Sequence, residues 1–219
     1  MIKALTFDAA GTLIRTAEPV ATVYARLLAT YGHTLDESRL ALRFPEAFAT
    51  AGDPDFVAFP NGDLAERKWW RQIVESCVRG PVSDAAFNEL FSHYAEPSAW
   101  EVMPGVLETL RRAKGLGYRL AVVSNFDSRL HGLLRGLGLV SWFEVIVTSA
   151  DAQARKPSPQ IFLHALKQLG LSAHEVCHVG DSESLDVRGA AAAGINAFLI
   201  DEKNHDLRKF LSHVEEANT

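Results

Sequence analysis

Residues 5–14 read LTFDAAGTLI. A short apolar run ends in Asp8, and Gly11-Thr12 offers a turn three residues later. A continuous apolar run of this length predicts a strand buried on both faces of a parallel sheet. A carboxylate just beyond the strand's C-terminal end stands where open α/β sheets place their ligands. Four more runs of this kind follow: YRLAVVS (118–124), FEVIVTS (143–149), EVCHVG (175–180) and NAFLI (196–200). Between them lie apolar residues at helical spacing in VLETLRRAKGLG (106–117), SRLHGLLRGLGL (128–139) and SPQIFLHALKQLG (158–170), each stopping near glycine. The stretch DVRGAAAAG (186–194) carries small residues that suit close helix-to-sheet packing. Alternation of strand and helix predicts an α/β fold: a doubly wound, Rossmann-like parallel sheet with right-handed crossovers.

Residues 16–100 break that rhythm. Helical periodicity runs through 20–32, 38–50, 64–78 and 83–95, with Asp36 and Ser83 placed as N-terminal caps. The expected organisation is an α/β core from 1–15 and 101–219, with a helical insert over 16–100 in which no buried strand is read. The aromatic set Trp69, Trp70, Phe87, Phe91 and Tyr94 reads as bundle core, the alternative being the wall of a substrate cleft. Residues 201–219 are polar and predict a short terminal helix with a frayed end.

Composition narrows the function classes. The 219 residues carry a net charge of -5, which gives no basic footprint for nucleic acid. Two cysteines, Cys77 and Cys177, lie far apart and read as buried small residues rather than a disulfide scaffold. No apolar run approaches the ~18 residues that would span a bilayer. No leader is read before the first strand, and the expected location is cytoplasmic.

Four polar features fall at strand ends. Asp8, backed by Ala9-Ala10-Gly11-Thr12, can act as nucleophile or metal ligand. Ser124-Asn125 follows the second core strand, where a hydroxyl and helix-start N–H groups can hold a phosphate oxygen or simply cap the helix. Lys156 sits in ARKPSPQIF, where Pro157 and Pro159 fix an extended turn into a helix start, and it can neutralise a phosphate or carboxylate. Asp181 and Asp186, with Glu183 between them, form the acidic loop of HVGDSESLD. Carboxylates this close repel unless a cation or lysine sits among them, and hard oxygen ligands suit Mg²⁺.

This ordered set of aspartate, Ser-Asn, lysine and acidic pair resembles the haloacid dehalogenase superfamily of hydrolases, over essentially the whole chain. The insert looks like the helical cap of that superfamily. The stretches AERKWWRQIV, VVSNFDSRL, ARKPSPQIF and HVGDSESLDVRGA are similar to the subgroup called haloacid dehalogenase-like hydrolase domain-containing protein 3. The resemblance implies a Mg²⁺-dependent phosphohydrolase that acts on a small phosphorylated molecule, as a monomer or homodimer. It implies Asp8 as nucleophile, Lys156 as its charge partner, and Ser124, Asn125, Gly11 and Thr12 as phosphate-binding residues. It implies a metal held by Asp8, the Ala10 carbonyl, Asp181 and Asp186.

Ala10 departs from the pattern. Phosphatases of the superfamily carry an aspartate there, which protonates the leaving alcohol and then activates water. A positioned acid or base contributes on the order of 10²–10⁴-fold. A weakened or specialised phosphatase is therefore expected, with Glu66, Arg67, Lys68 or His93 of the insert as substitute acids. The alternatives are a binding or regulatory protein with a residual site, a phosphonatase-like C–P hydrolase using Lys68, and a 2-haloacid dehalogenase. The last uses no metal and leaves the acidic loop without a purpose.

Overall fold

A computed structural model of the chain describes residues 1–201 and 205–217. The chain divides into two units: Met1–Arg15 with Val102–Thr219, and Thr16–Glu101. Strands β2 (Ile14–Thr16) and β3 (Trp100–Val102) pair with each other at the two points where the chain passes between the units.

The first unit is built on a parallel five-stranded sheet. Its strands are β1 (Ala4–Phe7), β4 (Arg119–Ser124), β5 (Val145–Thr148), β6 (Val176–Gly180) and β7 (Asn196–Leu199), in spatial order β5-β4-β1-β6-β7. The five apolar runs are these five strands, but β7 departs from the expected burial on both faces: it closes the sheet as an edge strand, and none of its four residues is buried. β1 lies in the middle, all four of its residues buried, as its unbroken apolar pattern requires. It pairs Thr6 with Ala121 on one side and with His178 on the other. The strand order reverses on either side of β1, the switch point where such sheets open a crevice. Helices α5 (Val106–Gly115), α6 (Arg129–Gly136) and α7 (Ser149–Ala152) follow the four of the second unit in the chain. One face of the sheet packs on α8 (Pro159–Leu169) through Ile161, Phe162, Ala165, Leu166 and Leu169 against Ala4, Val123, Val145, Val147 and Val176. On the opposite side Phe7 meets Phe210 of α10 (Leu207–Ala217) edge to face at 5.7 Å. The expected terminal helix thus exists, while 202–204 and 218–219 of that expectation lie outside the described residues.

The second unit holds four helices: α1 (Val20–Ala29), α2 (Glu37–Thr50), α3 (Gly62–Val78) and α4 (Asp84–His93). Asp36, Asn61 and Ser83 cap the last three by accepting the N–H groups of Arg39, Leu64 and Ala86. Leu28, Ile73, Val74, Phe87 and Leu90 form its core, with Trp69 buried among them. Trp70, Phe91 and Tyr94 pack against that core from partly buried positions, and neither tryptophan is exposed. The indole N–H of Trp69 donates to the Gly52 carbonyl at 2.8 Å. No helix of the described residues is long and apolar enough to cross a membrane.

Candidate active site

Asp8 is the first residue beyond β1, and its N–H still donates to the Val179 carbonyl at 2.9 Å. The sheet register therefore fixes where its carboxylate points. Lys156 Nζ donates to Asp8 Oδ1 at 2.6 Å and to Asp186 Oδ1 at 2.5 Å, and all three side chains are buried. Asp181 joins from the end of β6: a carboxylate oxygen from each of Asp8, Asp181 and Asp186 lies within 4.8 Å of the others. Three loops that are distant in sequence thus deliver three carboxylates and one ammonium to one spot.

Glycine makes two of these approaches possible. Gly11 sits at φ +95°, and a Cβ there would come within 2.5 Å of Asp181 Oδ2. Gly180 precedes Asp181, and a Cβ on it would overlap the Asp186 carboxylate. The Thr12 hydroxyl donates to Asp181 Oδ1 at 3.1 Å. The N–H groups of Gly11 and Thr12 point to the carbonyls of Ile14 and Ala9, so these two residues shape the loop. Ala10 is the exposed residue of that loop.

Asp186 stands in a single π-helical turn, Glu183–Val187, where the helix expected over 186–194 begins in a wider form. Such turns are rare and concentrate at functional sites. The Ser182 side chain caps it by accepting from the Leu185 N–H at 3.2 Å, and the Ser182 N–H donates to Asp186 Oδ2 at 3.0 Å. The short regular helix α9 (Arg188–Ala192) then continues the turn.

Ser124 closes β4 and is buried. Asn125 does something the sequence did not reveal. Its amide nitrogen donates to the Lys156 carbonyl at 3.0 Å, and its amide oxygen accepts the Lys156 N–H at 2.7 Å. That two-point clamp ties the β4 loop to the lysine loop, beside the cis Lys156-Pro157 bond. Pro159 then opens α8 at its first turn, as expected.

The electrostatics follow from burial. Loss of water pushes Asp8 up to about 6; Lys156 opposes this, while Asp186 and Asp181 add to it. Asp181 is raised by burial and by Asp186. Burial acts to lower Lys156, but Asp8 and Asp186 outweigh it and hold the ammonium above its ordinary value. Burial acts to raise Asp186, yet Lys156 and His178 together hold it well below the usual carboxylate range. One ammonium among three carboxylates leaves an excess of negative charge that a bound cation would relieve.

The remaining candidates lie in the second unit. Glu66 is fully buried there. Arg67 stacks over Phe91 at 4.4 Å and donates to Asn88, and Lys68 lies over the Phe59 ring at 4.7 Å. His93 packs edge-on against Tyr94. Beyond the expected set, the structure adds His178, buried in β6 and in contact with Asp186. Inside an apolar strand run it gave no distinct signal in the sequence.

Comparison with known proteins shows the family and the fold. The family model described as haloacid dehalogenase-like hydrolase matches residues 2–194. The human protein named haloacid dehalogenase-like hydrolase domain-containing protein 3 is 34% identical over 209 residues, covering 91% of this chain and 82% of that protein. Among solved structures, a phosphatase of the family from Thermococcus onnurineus is 28% identical with a TM-score of 0.66, covering 94% of this chain and 88% of its own. The L-2-haloacid dehalogenase from Xanthobacter autotrophicus has a TM-score of 0.70 at 20% identity, covering 91% and 78%, and shares the fold.

Proposed function

This chain belongs to the haloacid dehalogenase-like hydrolases, and on that premise we propose that it is a Mg²⁺-dependent phosphohydrolase working through an aspartyl-phosphate on Asp8. The observation that carries the reading is the bridge from Lys156 Nζ to Asp8 Oδ1 at 2.6 Å and to Asp186 Oδ1 at 2.5 Å, with Asp181 beside it. Phosphoryl transfer asks for positioning and neutralisation of charge more than for covalent versatility, and this cluster is equipped for both.

The donor set fits Mg²⁺: hard oxygens of three carboxylates, from the loops after β1 and β6, with too little positive charge among them. Asp8, Asp181, Asp186 and the Ala10 carbonyl are the groups that would hold it. When bound, it would neutralise charge on the phosphate oxygens. In the reading proposed here, Lys156 holds Asp8 Oδ1, and Oδ2 attacks phosphorus. The bond to the leaving oxygen breaks and its electron pair departs with that oxygen. Lys156 balances charge on nucleophile and phosphoryl group, and the Ser124 hydroxyl binds a phosphoryl oxygen. Asn125 keeps the lysine loop in register through its clamp. Water then attacks phosphorus, the bond from phosphorus to Asp8 Oδ2 breaks with its electron pair returning to the carboxylate, and both protons of the water leave on the phosphate released.

Ala10 supplies no proton to the leaving group. The reading therefore favours small phosphorylated substrates whose leaving group needs none, such as acyl phosphates or acidic phenols. The helical unit, Thr16–Glu101, is proposed as a cap that selects among them. A metal-free dehalogenase shares the missing aspartate, but it leaves the Lys156 ammonium alone to balance three carboxylates.

The test is phosphate release from acetyl phosphate, with Mg²⁺ and with chelator, for wild type and Asp8→Asn. Turnover that needs both Mg²⁺ and Asp8 is the expected result. Binding of phosphorylated ligands without turnover would favour a sensing role instead.

A further inference from the structure

His178 occupies the centre of β6 with no exposure to solvent, in a strand whose other residues are Val, Cys and Gly. A buried polar ring there costs about 1–3 kcal/mol unless each nitrogen is paired. Both are. Nδ1 lies 2.9 Å from the hydroxyl of Thr6, its register partner on β1. Nε2 lies 3.1 Å from Asp186 Oδ1, the same oxygen that takes Lys156 Nζ. The edge-on ring of Phe162, 5.0 Å away between centroids, fixes the plane of the imidazole.

The chemistry selects one tautomer. An ionised carboxylate can only accept, so Nε2 must carry the hydrogen that meets Asp186. In the neutral ring, Nδ1 then presents its lone pair to the Thr6 hydroxyl, which donates. A chain of contacts results: Thr6 on β1, His178 on β6, Asp186 in the π turn, Lys156 in the loop before α8, and Asp8 back at the end of β1.

We propose that His178 is a positioning residue: its Nε2–H shares Asp186 Oδ1 with Lys156, and this sets where the ammonium stands against Asp8. With two donors on one oxygen, Asp186 cannot draw the lysine wholly to itself. Without His178 the carboxylate is free to rotate about its remaining bond to the Ser182 N–H, and the lysine follows it away from Asp8. This rests on the reading of Asp8 and Lys156 as the reacting pair. Partners one layer behind a reactive site, like those behind metal ligands, change activity by roughly 10–100-fold when removed.

The experiment compares wild type with His178→Leu, His178→Gln and Thr6→Val. The Gln side chain restores an N–H donor, whereas Leu only fills space. Thr6→Val is nearly isosteric and keeps the strand intact. Two readouts are taken: kcat and KM on acetyl phosphate, and ¹⁵N resonances of the His178 ring and of Lys156 Nζ. The expected result is an Nε2–H ring in wild type and a kcat about 10–100-fold lower in His178→Leu at little-changed KM. His178→Gln should regain most of that loss and return the Lys156 resonance toward wild type, and Thr6→Val should fall between. A ring with its hydrogen on Nδ1 would overturn the proposal. So would a His178→Gln enzyme as slow as His178→Leu, with both equally destabilised to denaturant, because the residue would then be structural only. If wild type does not turn over acetyl phosphate, the phosphohydrolase reading fails separately. The Lys156 resonance then decides: displacement by Leu and recovery by Gln supports positioning, and an unmoved resonance refutes it.

Discussion

The two units bury different things. Among the described residues, the helical unit's only buried charged side chain is Glu66, while Thr6, Asp8, Thr12, Ser124, Asp127, Lys156, His178 and Asp186 are all buried in the α/β unit. The helical unit is held by volume: Leu28, Ile73, Val74, Phe87 and Leu90, with aromatic edges on faces such as Phe48 against Trp69 at 5.1 Å. The α/β unit is held by volume on its sheet faces and by directed polar contacts at its strand ends. In the first kind of region, side chains of like size can replace one another. In the second, each atom has a named partner, and substitution is felt as lost chemistry.

That difference can be broken by matched substitutions. Lys156→Met should have the largest effect, because it strips the counter-charge from Asp8 and Asp186. Leaving buried charges unpaired costs about 3–5 kcal/mol, and losing a placed cation costs on the order of 10²–10³ in kcat. Urea denaturation and phosphate release measure both, and a Met variant with wild-type stability would dissolve the comparison. Ile73→Ala, fully buried in the helical core, should cost about 2–5 kcal/mol on denaturation while leaving Mg²⁺-dependent turnover of folded protein unchanged in kcat.

The smallest effect belongs to a surface pair. Arg119 holds Glu144 through two hydrogen bonds and so keeps its carboxyl below the ordinary value of 4.5. A carboxyl depressed by folding adds stability above its unfolded value and loses it as the pH falls through the folded one. Glu144→Gln should therefore cost about 0.2–1 kcal/mol near neutral pH and nothing near pH ~2. Urea midpoints at both pH values check the sign, and a cost that grows on acidification would reverse it.

How much was legible in the sequence followed from the same division. The strands β1, β4, β5 and β6 were readable because a strand buried on both faces must be continuously apolar, whereas β7 was readable from its apolar run although none of its four residues is buried at the sheet edge. The four helices of the second unit were readable from their period, even across Pro45 inside α2. The β2–β3 pair was not, since each strand has three residues and most are partly exposed or exposed. The π turn at Asp186 was read as ordinary helix, because one extra residue in a turn leaves the local period nearly unchanged. At the site, Asp8 and Asp181 announced themselves by directly following strands, while Lys156, expected at a strand end, stands in the loop before α8, and Asp186 stands in the π turn beyond β6. The clamp from Asn125 and the contact from His178 did not, because a hydrogen bond between residues 31 positions apart, as for Asn125 and Lys156, exists only in the folded chain.

On the function proposed above, Ala10 leaves a charge-neutralising phosphoryl-transfer centre without its proton donor. The most direct test is phosphate release from acetyl phosphate and from a simple alkyl phosphate, by wild type and Ala10→Asp, with Mg²⁺ present. Wild type should hydrolyse the acyl phosphate and leave the alkyl ester nearly untouched, and Ala10→Asp should raise the alkyl rate by about 10²–10⁴-fold. A wild type equally fast on both substrates, or an Ala10→Asp variant as silent on the alkyl ester as its parent, would contradict it.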